Sequence, residues 1–297
     1  MAVAEPLAEA AALVGVPPPV AGRRSGKARR RLRRLAPPLA MAVVVLGGWQ
    51  LASSSLSGGR QFLLPPPLAV WRVGIFDRQS FDALVPAFGR TAELSVVGLL
   101  VAVVLGMASG TVLYRFHWLE RASYPYLVAL QAIPILAVAP LMAVAFGYTF
   151  VTKLIIVVMI AFFPIPTAFL LGLKSVDPGQ QDLFRLHRAG WLTRFWKLAL
   201  PSSLPHLFTG FRISAGLAVV GAVVGEEFFQ TGAPGLGMLF QQYLNYVEYD
   251  QLYACLLVSC LLGVAFYSLF TVASRRLFGS WHASAHADEP AARRPGR

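Results

Sequence analysis

The side chains that could do chemistry are few and poorly placed for it. Cys255 and Cys260 are the two cysteines of the chain. Five residues apart on a helix, at about 100° per residue, they point to faces roughly 140° apart. Neither a disulfide framework nor a thiolate metal cluster follows. His282 and His286 have the spacing of one helix face but sit in a small-residue tail with no further ligands, so they read as a solvated tail rather than a metal site. Gly26-Lys27 is set like the end of a phosphate-cradling loop, yet Ala21 stands where the first glycine belongs and Ala28 where Ser or Thr should meet magnesium. No H-E-x-x-H and no G-x-S-x-G occurs. The chain is therefore expected to be no enzyme and no ATPase of its own, with no cofactor and no metal.

A better-defined segment is built for contact rather than reaction. From Lys174 to Ser203 the chain is rich in Arg, Lys and aromatic residues. Asp177-Pro178 with Gln180 supplies an N-cap, a first-turn proline and a capping-box partner, which predicts a short helix through Asp182, Leu183, Phe184, Leu186 and His187. Ala189-Gly190 then offers a turn. Trp191, Phe195 and Leu198 have the spacing of a second amphipathic helix leading to Pro201. Two readings stay open: a docking element for another protein, or helices lying on lipid headgroups with Trp191 and Trp196 as anchors.

The elements that must position this loop are apolar. Of 297 residues 56% are hydrophobic and 13% charged, against roughly 25% charged in a soluble protein. Such a chain cannot cover a water-facing surface. Apolar runs at Ala36–Leu56, Leu94–Tyr114, Tyr126–Phe146, Leu154–Leu173, Leu204–Val224 and Leu252–Val272 predict an all-α polytopic membrane protein with six spans. Gly106, Pro134, Pro140, Pro164, Pro166 and Gly216 inside them are tolerated in lipid, and Gly216 with Gly221 suits close helix packing. A cleaved signal peptide is the rival reading of the first run, which is long for one. The expected organisation is a disordered basic tail (1–35), a first span (36–56), an exported loop (57–83), a core of five spans (84–278) containing loop 174–203, and a second tail (279–297).

The net charge of +12 lies mostly in the tails. Residues 23–34 alone hold eight basic groups and no acid. That placement reads as a topology signal beside anionic lipid rather than a nucleic-acid site. Twenty basic residues fall on the side of both termini and loop 174–203, against Arg60, Arg72, Arg78, Arg90 and Lys153 on the other. Both termini are thus expected in the cytoplasm. Glu93, Lys153, Arg212, Glu226 and Glu227 all fall near span ends, where snorkelling to the headgroups accounts for them. An ion-coupled carrier would need charges mid-span and a channel a filter or charged ring, and neither is visible. A stand-alone carrier or a membrane scaffold remains the alternative class.

At the loop, VDPGQQDLFRLHRAGWLTRFWKLALPSSLPHLFTGFRIS resembles the permease subunits of bacterial ABC importers. In that family a segment beginning Glu-Ala-Ala, with a glycine six residues after the Glu, is followed by Leu-Pro and docks on the ATPase. Asp182 stands at the Glu position, Leu183 and Phe184 replace the alanines, Arg188 replaces the glycine with Gly190 as a substitute, and Pro201 completes Leu-Pro. The likeness runs from about Thr91 to Phe278. Through FLLPPPLAVW, ALQAIPILAVAPLMAVAFGY, FFPIPTAFLLGLKSVDP and GAVVGEEFFQTGAPGLGMLF, it is similar to the nitrate, sulfonate and taurine branch, which includes importers of pyrimidine-type vitamin precursors. The resemblance implies the MetI-like permease fold in a bacterial inner membrane. It also implies a homodimer, two ATPase subunits, an extracytoplasmic substrate-binding protein and a coupling site at Asp177, Asp182, Leu183, Phe184, Arg185, Leu186, His187, Arg188, Gly190 and Pro201. Gln131 and Ser214 are candidate path residues, with interhelical hydrogen bonding as the competing reading.

Overall fold

The structure is a computed structural model that describes residues 26–56 and 61–278. Residues 1–25 of the expected disordered tail 1–35, the expected tail 279–297, and residues 57–60 of the expected exported loop lie outside the described residues, while 26–35 of that first tail are helical rather than disordered. Every regular element among the described residues is helical, as lipid demands of a chain whose backbone groups must be satisfied within each span.

Residues up to 56 form one unit and the rest a second. The first unit is α1 (Gly26–Ser55), which begins ahead of the expected Ala36 and carries Pro37 and Pro38 within it. Its segment Ala36–Ser55 is apolar over 20 residues, about 30 Å of rise.

The second unit holds α2 (Arg78–Arg115), α3 (His117–Gln131), α4 (Ile135–Phe146), α5 (Phe150–Lys174), α6 (Pro178–Leu186), α7 (Trp191–Phe228), α8 (Leu236–Tyr246) and α9 (Tyr249–Phe278). By length and composition, five helices among the described residues can cross a membrane: α1, α2, α5, α7 and α9. The run expected as the third span, Tyr126–Phe146, is divided. Gln131 ends α3, Pro134 is the N-cap of α4 with φ −69° and ψ 107°, and α4 is 12 residues long, about 18 Å. Pro134 lacks an N–H, and its ring disfavours helical backbone at Ile133.

The expected loop 57–83 is partly helical. A turn at Pro67–Ala69 runs into a wide π turn at Val70–Ile75, where Val70 is buried and a Cβ on Gly74 would strike the Asp250 carbonyl of α9. Asp77 then caps α2, accepting from Gln79 N at 3.1 Å and Ser80 N at 3.4 Å.

The core of this unit is the α2, α5, α7 packing. Leu94, Leu99 and Ala102 of α2 meet Val157, Ala161, Ile165, Phe169 and Leu173 of α5, and Leu207, Ala215, Ala218 and Ala222 of α7. Small residues set the spacing, as expected where lipid gives helices no hydrophobic reason to associate. A Cβ on Gly172 would sit 2.8 Å from Ser203 Cα, and one on Gly221 2.8 Å from Val157 Cα. Gly216, expected to share that role, has nothing within 4 Å of its Cβ direction. Leu100 and Val104 of α2, Leu141 and Val144 of α4 and Leu261, Val264 and Leu269 of α9 are exposed, forming apolar surface suited to lipid or another subunit.

Candidate functional site

The segment joining α5 to α7 folds as a capped helix and a hard turn. Asp177 Oδ1 accepts from Gly179 N at 2.8 Å and Gln180 N at 3.3 Å, satisfying two of the orphan donors of α6. The side chain that reaches back is Gln181, whose Nε2 donates to Val176 O at 3.1 Å, rather than the expected Gln180. At the other end Arg188 N donates to Arg185 O at 2.9 Å and Ala189 N to Phe184 O at 3.0 Å, the paired bonds of a Schellman motif. His187 Nδ1 lies 2.9 Å from Leu183 O.

That motif requires a left-handed residue just past the helix, and here it is Arg188, with φ 50°. The turn is therefore made at the position where the family glycine is expected. Gly190 is not the substitute. It has φ −62° and ψ 164°, ordinary extended backbone, as the residue before α7.

The side chains of α6 divide into two sets. Asp182 and Arg185 form an exposed ion pair at 3.4 Å, worth a few tenths of a kcal/mol. Leu183 and Leu186 are 53% and 81% exposed. Phe184, expected with them as an outward anchor, is partly buried against the core. Among these three, the outward apolar surface is the two leucines.

The expected second amphipathic helix is the first part of α7. One turn at Trp191–Arg194 continues through a π turn at Phe195–Ala199 into the long helix. The wide turn lies where Pro201 would otherwise clash with the carbonyl of Lys197, four residues earlier. Trp191 stacks on buried Phe195 at 5.3 Å and 17°, and Phe195 meets Tyr114 at 6.4 Å. The Arg115 guanidinium lies 5.5 Å from the Trp191 ring centroid and 5.3 Å from that of Phe116. Trp191 is thus held by the end of α2, worth about 0.5–1 kcal/mol for the cation alone, and only Trp196 of the two tryptophans is exposed, at 60%. Lys174, at the end of α5, pairs with Glu120 of α3. Loop, α2, α3 and α5 are tied at one end of the bundle.

The candidate path residues are placed apart. Gln131 is exposed as the last residue of α3. Ser214 is fully buried inside α7's packing, its Oγ without a hydrogen-bond partner.

A second constellation lies at the opposite end of α7, and sequence reading passed over it by treating Glu226 and Lys153 as headgroup-seeking. Glu226 is 3% exposed and Lys153 6%. Glu226 Oε2 accepts from Gly237 N at 3.0 Å and from Thr91 Oγ1 at 2.8 Å. Thr91 Oγ1 accepts in turn from Leu236 N at 2.8 Å. Lys153 Nζ donates to Thr231 O at 2.8 Å and Arg90 Nη1 to Pro234 O at 2.8 Å. Burial of α8 extends to Tyr243, whose phenol is pushed above the usual tyrosine range by burial, with Cys255 and Glu248 acting in the same direction. The available signal was the glycine spacing in GEEFFQTGAPGLG, since an acid followed by G-x-G suggests close backbone approach.

Residues 102–279 match the family described as the binding-protein-dependent transport system inner membrane component. The chain belongs to that family. This permease is 35% identical over 205 residues to the formylaminopyrimidine transport permease protein ThiX of Halalkalibacterium halodurans, covering 68% of this chain and 80% of that one. It is 27% identical over 181 residues to the putative aliphatic sulfonates transport permease protein SsuC of Bacillus subtilis, covering 61% and 62%. In fold it is similar to a chain of the inward-facing MetNI methionine ABC transporter, with TM-score 0.55 and 20% identity over 69% of this chain and 98% of that one. The permease is therefore a transport component of an ABC importer rather than a stand-alone carrier or scaffold. Its membership implies ATPase and substrate-binding-protein partners.

Proposed function

We propose that this permease forms a symmetric homodimer in a bacterial inner membrane, with both termini cytoplasmic. Two separate ATPase chains dock at α6 and an extracytoplasmic binding protein delivers the solute. ATP-driven closure of the ATPases moves residues 178–200, and the bundle passes between outward-facing and inward-facing states with the path on the two-fold axis. The observation that carries this reading is the outward pair Leu183 and Leu186 on a helix fixed at one end by Asp177 and at the other by the Arg188 turn. A short, rigid, apolar projection with a charged rim suits a groove on a partner.

The cargo is a small organic solute or anion. A pyrimidine-type vitamin precursor is favoured over nitrate, sulfonate or taurine by the higher identity to ThiX than to SsuC. Residues Asp177, Asp182, Arg185, His187 and Pro201 shape the docking element around the two leucines, and Gln131 is the candidate path group with an exposed side chain.

The test is recovery of the ATPase with Leu186→Asp at equal permease expression. Burying one leucine is worth about 1.5–3 kcal/mol, so its replacement by a charge should lower ATPase recovery by about tenfold or more. Equal recovery would sink the docking assignment. For cargo, the co-purifying binding protein is titrated with a formylaminopyrimidine and an alkanesulfonate, and preference for the sulfonate would reverse the order given above.

A further inference from the structure

The N-cap of α8 is Gly235, which has no side chain with which to cap the helix. Its first two N–H groups, of Leu236 and Gly237, are instead bound by Thr91 of α2 and Glu226 of α7. The glycines on either side of Leu236 are what make room. A Cβ on Gly235 would overlap the Glu226 carboxylate, and one on Gly237 would overlap the Val223 carbonyl. The loop before α8 is gripped as well, its Thr231 and Pro234 carbonyls accepting from Lys153 of α5 and Arg90 of α2. Thus each helix of the central packing, α2, α5 and α7, sends a polar side chain onto one short segment at the end of the bundle remote from α6.

A carboxyl oxygen that accepts at a helix start satisfies donors the helix itself leaves orphaned. Supplied from another helix, it does more than stabilise α8. It makes the segment from Phe229 to Tyr246 follow any displacement of α7 and α2. We propose that Glu226 is a positioning residue for transport: its trans cap on α8 binds the segment 229–246 to the bundle as one body, so that binding-protein engagement at this end reaches the ATPase end. The proposal rests on the transport reading above.

The experiment uses the full permease in lipid nanodiscs, alone for hydrogen exchange of the 229–246 segment and with its ATPase and binding protein for ATP hydrolysis. Glu226→Ala should speed exchange at the start of α8 by about tenfold or more. It should also lower the ratio of binding-protein-stimulated to unstimulated hydrolysis several-fold, while ATPase recovery matches wild type. Glu226→Gln, which keeps an acceptor oxygen, should restore most of both readouts. Should Glu226→Ala fail to accumulate, Thr91→Ala removes the Leu236 half of the cap together with the hydroxyl bond to Glu226 and leaves the Gly237 half in place, and Thr91→Ser, which keeps the hydroxyl, should rescue it. Faster exchange with an unchanged stimulation ratio, unchanged exchange, or equal behaviour of Thr91→Ala and Thr91→Ser would overturn the proposal. Failure of wild type to recover any ATPase would sink the transport reading instead, and the exchange comparison, which needs no ATPase, stays readable by itself.

Discussion

Arg188 offers a direct test of how the loop is built. A left-handed conformation costs a residue with a Cβ roughly 1–2 kcal/mol, and Arg188 holds φ 50° at an exposed site. Arg188→Gly removes that cost but gives up about 0.5–1 kcal/mol through the freer unfolded chain. The net gain spans about 0–1.5 kcal/mol with a midpoint of about 0.75, or about three- to fourfold rarer opening of the turn. The amides to follow are those of Arg188 and Ala189, which donate to Arg185 O and Phe184 O and are released when the turn opens. Exchange of these two amides should slow by that factor in Arg188→Gly and stay near wild type in Arg188→Ala, which keeps the strain. In Arg188→Val it should quicken, because a β-branched side chain fits this region worst. Equal exchange in the Gly and Ala variants would refute the assignment of strain to Arg188. Faster exchange in Arg188→Gly would show that the arginine side chain itself holds the turn.

Three further outcomes follow from the geometry. Asp177→Ala should destabilise α6 by about 1 kcal/mol, read as faster exchange at Gly179 and Gln180, with no effect on membrane insertion. Gly172→Val should lower the thermal midpoint in detergent by forcing α5 from Ser203, at about 1–3 kcal/mol, whereas Gly216→Ala, with open space at its Cβ, should raise it slightly, by about 0.4–1 kcal/mol. In a background with Cys255 and Cys260 replaced, a cysteine at Asp82 should react with an impermeant thiol reagent from outside intact cells. One at Ser175 should react only after lysis, and the reverse pattern would invert the topology.

Local signals were read well from the chain because their causes are local. Asp177 caps α6 as its spacing with Pro178 implies, and the apolar runs became helices because lipid admits little else. What escaped depends on partners far away in sequence. Glu226 looks like a span-end acid until Thr91 and the Gly237 amide are brought against it, and Trp191 looks like a headgroup anchor until Arg115 and Phe195 enclose it. Phe184 and Leu186 are both apolar residues of one helix. Only the packing of α6 against the core decides which one faces outward. The left-handed Arg188 was hidden for a different reason: glycine is the usual marker of that conformation, and Gly190 two residues later drew the assignment to itself. The division of Tyr126–Phe146 turns on Pro134, since proline inside an apolar run is compatible with both a kinked span and two shorter helices.

α7 runs from Trp191 to Phe228 over 38 residues, about 57 Å of rise. Gly210 lies near its midpoint, where a Cβ would come within 3.0 Å of the Pro164 carbonyl and 2.9 Å of Ala168 Cβ. The two helices thus touch backbone to backbone there, with no long side chain between them to act as a cushion. The same closeness recurs at Gly172 against Ser203 and at Gly221 against Val157. α5 and α7 are thus keyed together at three heights, so neither can tilt alone without driving backbone into backbone, and Lys153 and Glu226 at the far end stay in register with each other.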